Sequence, residues 1–200
     1  MEKIQKIFYG LVLFTAILVL FSCNPLENNT ESNTMLIFEN LTGTDMEGNT
    51  VSFLESDVLT VDPDSGAQLV YSDTGQATLK ATLLDPQPIN PASEYNNIQL
   101  TRYTVSYFRS DGKNTEGVDV PYSFEGYLST RLTVGVSTDI SFVIVRAVAK
   151  IEPPLLLLGD GSSQGILTIT ARVDFYGQDL RDKTVTATGY LTIYFANFAE

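Results

Sequence analysis

Leu167-Thr168-Ile169-Thr170-Ala171-Arg172-Val173-Asp174-Phe175 alternates strictly, apolar at odd positions and polar or charged at even ones. A strand turns successive side chains to opposite faces, so this period of two describes a β-strand with one buried and one solvated side. Val185, Ala187, Gly189, Leu191, Ile193 and Phe195 repeat the pattern against Thr184, Thr186, Thr188, Tyr190, Thr192 and Tyr194. Both segments are rich in β-branched and aromatic residues, which suit a pleated half-buried surface. The short polar connection Gly177–Lys183 predicts that the two pair as a C-terminal hairpin.

Working back along the chain, Leu100–Arg109 sets Tyr103, Val105 and Tyr107 on one side, and Tyr127–Val136 groups Leu128, Leu132, Val134 and Val136. Ile140–Val148 is apolar on both faces until Arg146, which predicts a central strand. Thr50–Leu59, Ala67–Tyr71, Gln76–Leu84 and Met35–Glu39 are further strand candidates. That makes about eight or nine strands separated by Gly, Pro, Asn and Asp, with no helical stripe of useful length. The expected fold is all-β: one antiparallel immunoglobulin-like β-sandwich over residues 35–200. A chain this long buries enough apolar area to do without a disulfide, and the antibody-type core tryptophan is absent too, so the likeness is one of architecture. Two stretches are irregular. Asp85–Asn97 has three prolines and suits a long inter-strand crossing, and Ala149–Gly165 holds Pro153-Pro154 and then Leu155–Leu158. The leucine run reads as a cap on the open end of the core, with an exposed partner patch as the alternative.

Composition narrows the function. The 200 residues include 24 acidic and 12 basic side chains, a formal charge of −12, and no histidine, no tryptophan and one cysteine. Without His there is no Ser-His-Asp or Cys-His nucleophile system and no imidazole metal ligation. A lone thiol forms no intramolecular disulfide and no Cys-rich metal site. The acidic balance argues against nucleic acid as a partner.

The first 22 residues read as an address. Lys3 and Lys6 make a positive start, Ile7–Phe21 is an apolar run broken only by Gly10 and Thr15, and Ser22 precedes Cys23. The run is shorter than the ~20 residues a spanning helix needs. Leu20-Phe21-Ser22-Cys23 resembles the bacterial lipobox, with Phe21 bulkier than is usual there. That resemblance implies cleavage before Cys23, acylation of its sulfur and a lipid-anchored mature chain. Residues 23–34 would then be the lipidated Cys and a polar tether. With no acidic residue directly after Cys23, the same likeness points to the outer membrane if the host is Gram-negative.

Carboxylates are the plentiful catalytic-type groups. Asp62 and Asp64 open, and Asp73 ends, a calcium-loop frame that fails: Gly66 and Ala67 stand at its fifth and sixth positions and Asp in place of Glu at its last, so a turn is expected and no metal site. Asp174, Asp179 and Asp182 interleave with Arg172, Arg181 and Lys183 and read as surface ion pairs. A carboxylate-pair glycosidase has no marked pair in this sequence. Gly159, Gly161 and Gly165 have the wrong spacing for a phosphate loop and precede a strand. Neither cofactor nor catalytic residue is expected. Arg109–Tyr122, with its Asp111-Gly112 turn, reads as a structured loop whose Pro121 and Tyr122 pack back on the core, or else as a recognition surface.

The stretch Arg102–Gly126, with Asp-Gly-Lys-Asn at 111–114 and Gly-Val-Asp-Val-Pro-Tyr at 117–122, resembles small uncharacterised exported lipoproteins of Gram-negative bacteria. Ala149–Pro154 and Gly189–Phe198 add to the likeness. It implies an envelope location and a β-rich fold and brings no catalytic residue with it. The expectation is a non-catalytic lipoprotein, held to the membrane by its N-terminal lipid, whose sandwich binds an envelope protein. A carbohydrate-binding module using exposed Tyr103, Tyr107, Tyr122 or Tyr127 is the alternative, and a small outer-membrane β-barrel a distant third.

Overall fold

The two C-terminal segments pair as their alternation requires. β10 (Leu167–Asp179) and β11 (Thr184–Ala196) run antiparallel, with Ala171 opposite Leu191 and Phe175 opposite Ala187. β10 continues through Gly177 to Asp179, so the hairpin connection is shorter than the sequence suggested. The computed structural model describes residues 32–62, 64–85, 87, 92–159 and 165–198. The signal segment, Cys23 and the tether as far as residue 31 lie outside the described residues, as do Pro63 and Gly161.

The preceding strands are β1 (Thr34–Thr44), β2 (Thr50–Val51), β3 (Phe53–Asp57), β4 (Thr60–Val61), β5 (Gln68–Leu69), β6 (Asp73–Leu83), β7 (Ile98–Phe108), β8 (Phe124–Leu132) and β9 (Ser137–Val145). They form a four-stranded sheet in the order β2-β1-β6-β9 and a five-stranded sheet in the order β3-β11-β10-β7-β8, with β4 and β5 as a small separate ribbon. The inner faces of the two sheets share one core, so the fold is an all-β sandwich. β1, β6 and β9 hold the A, B and E places of the immunoglobulin arrangement, and β7, β8, β10 and β11 the C, C′, F and G places.

Three expectations change. The sandwich is not wholly antiparallel, because β3 joins the edge of the five-stranded sheet parallel to β11, with Leu54 beside Ile193. The chain reaches this geometry by leaving one sheet after β2 and entering the other at β3. Ile140–Val148 is not a central strand either: β9 pairs only with β6 and closes the edge of its sheet. Its last two residues, Ile144 and Val145, are both buried, and so are Ala149 and Lys150 of the helical turn Ala147–Lys150 that follows. Likewise, β8 stops at Leu132, and Val136 faces solvent after the Gly135 turn.

The core centres on four rings. Phe142 lies 5.1 Å from both Tyr103 and Phe175, Tyr103 lies 5.8 Å from Phe175, and Phe38 lies 6.0 Å from Phe175. Two glycines make room for them. A Cβ on Gly126 would sit 2.3 Å from the Tyr103 ring, and one on Gly189 would sit 2.2 Å from the Phe38 ring. The run Leu155–Leu158 divides by position: Leu155 and Leu158 are buried and cap the core, while Leu156 and Leu157 are 40% and 42% exposed. At the opposite end, Ser32 is already buried two residues before β1 begins. Its hydroxyl donates to Asp179 Oδ2 at 2.7 Å.

Candidate functional site

The four sequence-proposed tyrosines part company. Tyr103 and Tyr107 cannot stack on a ligand, because both point into the core beside Val105. The alternation that put them on one face put them on the inner one. The Tyr107 hydroxyl donates to the Ile144 carbonyl at 2.6 Å, and burial pushes its pKa above the ordinary phenol value. Tyr122 is half exposed over Gly117, in the loop between β7 and β8, while the neighbouring Val120 and Pro121 are buried. Tyr127 is 80% exposed on the outer face of the five-stranded sheet.

That outer face is where register gathers side chains that lie far apart in sequence. Tyr127 of β8, Arg102 of β7, Tyr176 of β10 and Thr186 of β11 form one row across four strands. Glu125, Thr104, Asp174 and Thr188 form the next row, and Ser106, Arg172 and Tyr190 the one after. Beyond them come Phe108, Thr170 and Thr192, then Thr168 beside Tyr194. Tyr190 is 58% exposed and meets Phe108 edge-on, with ring centres 6.2 Å apart.

Short contacts order the face. The Arg102 guanidinium lies 3.9 Å above the centre of the Tyr176 ring and donates to Glu125 Oε2 at 2.8 Å. The Glu125 carboxyl is held below the usual carboxylate range by the Tyr127 hydroxyl and by Arg102, and the Tyr127 phenol is correspondingly raised. Arg172 donates to Asp174 Oδ1 at 3.0 Å, and Asp174 also receives the Thr188 hydroxyl at 2.5 Å. Outward charges on these four strands are Arg102, Arg131 and Arg172 against Glu125 and Asp174. The face therefore escapes the acidity of a chain with formal charge −12. No lysine occurs on any strand of this sheet.

A second polar cluster is sealed inside. Lys150 is 3% exposed, and its Nζ donates to the Asp57 carbonyl at 2.7 Å and to Asp73 Oδ1 at 2.9 Å. The Ser56 hydroxyl donates to Asp73 Oδ2 at 2.6 Å. Burial raises the Asp73 carboxyl pKa, against the pull of Lys150 and Ser56. These contacts tie the end of β3, the start of β6 and the turn after β9 together, which is a structural task. Asp73 is engaged by Ser56 and Lys150, whereas Asp62 Oδ1 closes its own turn, accepting from the Asp64 and Ser65 amides at 2.9 and 2.8 Å. Among the described residues no group of three or more His, Cys, Asp or Glu converges as a metal site.

Sequence reading assigned Tyr190, Tyr194, Arg172 and Asp174 to solvent but did not assemble them with Tyr127, Arg102 and Tyr176. Periodicity gives each strand its two faces, whereas the patch exists only through the order β8-β7-β10-β11. No protein-family model matches the chain, and no curated protein matches it significantly.

Proposed function

We propose that this chain is a cell-envelope lipoprotein that acts by binding another protein, without catalysis, through the outer face of its five-stranded sheet. In this reading residues 1–22 direct export and Cys23 carries the lipid at the outer membrane. The residues up to 34 lead into the sandwich. The observation that carries the binding role is the composition of the face: tyrosines and arginines side by side, Thr between them, and no lysine. Tyr and Arg are enriched and Lys depleted where proteins bind one another, and Tyr combines a large rigid contact area with a hydrogen-bonding tip. Crosslinking of the full-length protein in the native envelope, followed by mass spectrometry, tests this directly. Adducts should map to Tyr127, Tyr176 and Tyr190, and a neighbour captured only through other surfaces would refute the assignment. Labelled palmitate should enter the wild type and not Cys23→Ser.

The exposure of the Tyr127 ring gives a second reading, a carbohydrate-binding platform, some support. Against it, Arg102 already occupies a face of the Tyr176 ring. Saturable binding on a glycan array, lost in Tyr127→Ala, would favour the sugar.

A further inference from the structure

We infer that the partner seated on this face is a second copy of the same chain, related by a two-fold axis that runs along the strands between β7 and β10. The inference rests on reading the face as a binding surface, and it commits that surface to self-association. An isologous contact needs a patch that complements itself. An axis in this position lays β10 of one copy over β7 of the other, and β11 over β8.

The row registers then decide what meets what. Gln99 lies in a row with Gln178, Arg102 with Tyr176, Thr104 with Asp174, Ser106 with Arg172 and Phe108 with Thr170. Across the axis each member of these pairs meets its opposite number. Guanidinium meets phenol ring, carboxylate meets threonine hydroxyl, and arginine meets serine. The outer pairs behave alike: Tyr127 falls over Thr186, and Glu125 over Thr188. In none of these rows does a charge meet its like. Sheets pack face to face at about −30°, so the match is closest at the middle rows, around Thr104 and Asp174.

Charge and size agree with this occupant. Elsewhere two chains of formal charge −12 repel each other, but this face carries three arginines against two carboxylates. Four strands spaced about 4.8 Å apart, with some nine or more residues each, give a flat footprint of roughly 20 by 30 Å. That approaches the roughly 800 Å² per partner of a standard interface, so a reversible dimer is expected rather than an obligate one. An axis parallel to the strands also leaves both Ser32 residues at the same end of the pair, because Ser32 is bonded to Asp179 at the end of β10. Two lipid anchors could then enter one bilayer, which would raise the local concentration and favour pairing.

The test places a photo-crosslinking phenylalanine at Tyr127, Tyr190 or, as a control off the face, Tyr71, in full-length chains bearing two different tags and co-expressed in the envelope. Tyr127 and Tyr190 should each give a product containing both tags, and Tyr71 should give none. Ser106→Arg, which sets an arginine against Arg172 of the second copy, should lower the yield roughly tenfold or more while protease resistance stays unchanged. Thr104→Glu, which sets a carboxylate against Asp174 of the second copy, serves as a second variant and should do the same. Products from Tyr127 and Tyr190 that contain only other proteins would overturn self-association and leave the binding face standing. No product from either position would overturn both. Equal two-tag yield from Tyr71 would mean indiscriminate association and overturn the assignment of the face.

Discussion

Breaking the Lys150–Asp73 pair costs the fold more than forming it contributes. A buried ion pair repays its desolvation only in part, but removing Lys150 leaves the largely buried Asp73 carboxylate without its counter-charge. Lys150→Ala should therefore cost about 3–5 kcal/mol at neutral pH, read as a fall in the urea midpoint. The sign of its pH dependence follows from Asp73. Its carboxyl is already raised by burial, and without Lys150 it would rise further. A raised folded pKa means the folded state binds more protons than the unfolded one, so stability falls as pH rises through that range. The deficit of Lys150→Ala should accordingly shrink as pH falls from neutrality toward the ordinary carboxylate range; a deficit that grows on acidification would contradict the assignment. Asp179 behaves in the opposite sense. Burial pushes its pKa up, but hydrogen bonds from Ser32, Lys183 and Arg181 together hold it below the ordinary value. Its stabilisation is present above the unfolded pKa of about 3.9 and is lost as pH falls through the lower folded value. Asp179→Asn should cost about 1–2 kcal/mol at pH 7 and distinctly less near pH 2, in chemical melts at the two pH values.

Elements carry predictions of packing. On β11 the only way to lay the Phe38 ring against the strand is to have no side chain at 189, so Gly189→Ala should destabilise by about 1–3 kcal/mol through overpacking. Gly189 occupies the inward phase of its strand, and the alternation showed as much, but the ring above it comes from β1 and no local pattern reveals that. The leucine run gives a sharper contrast. Leu155→Ala, at a fully buried site, should cost about 2–5 kcal/mol, whereas Leu156→Ala or Leu157→Ala should stay within about 0.5 kcal/mol in thermal melts. Sequence reading posed capping and exposure as alternatives for the whole run. A single helical turn, Leu156–Gly159, sends neighbours in different directions and satisfies both.

At the scale of the molecule, legibility followed the range of the interaction. Strand phase is local, so the inward sets on β10 and β11 were readable residue by residue, as was the hairpin that joins them. Sheet membership is not local. Ile140–Val145 carries the apolar density of an interior strand yet sits at an edge, because strand order is set by pairing with β6 and not by the apolar content of the segment itself. The parallel seating of β3 on β11 joins residues from opposite ends of the chain, and Phe53–Asp57 has no feature that announces it. Tyr103 and Tyr107 show the same limit from the functional side: an aromatic on an alternating strand is legible as sharing a face, and the identity of that face waits on what lies across from it. The patch made by Tyr127, Arg102, Tyr176 and Tyr190 needs four strands in their final order before it exists at all.

The Ser32–Asp179 hydrogen bond, with β1 running on directly from it, fixes how the body responds to mechanical load. A pull applied at Ser32 along the axis of β1 meets bonds to β6, from Thr34 opposite Leu83 to Thr42 opposite Gln76, that lie across that direction. Traction so directed cannot unzip the ladder one rung at a time; it must shear the rungs together. Load entering at Ser32 in that direction therefore meets the sheet in the orientation in which it yields last.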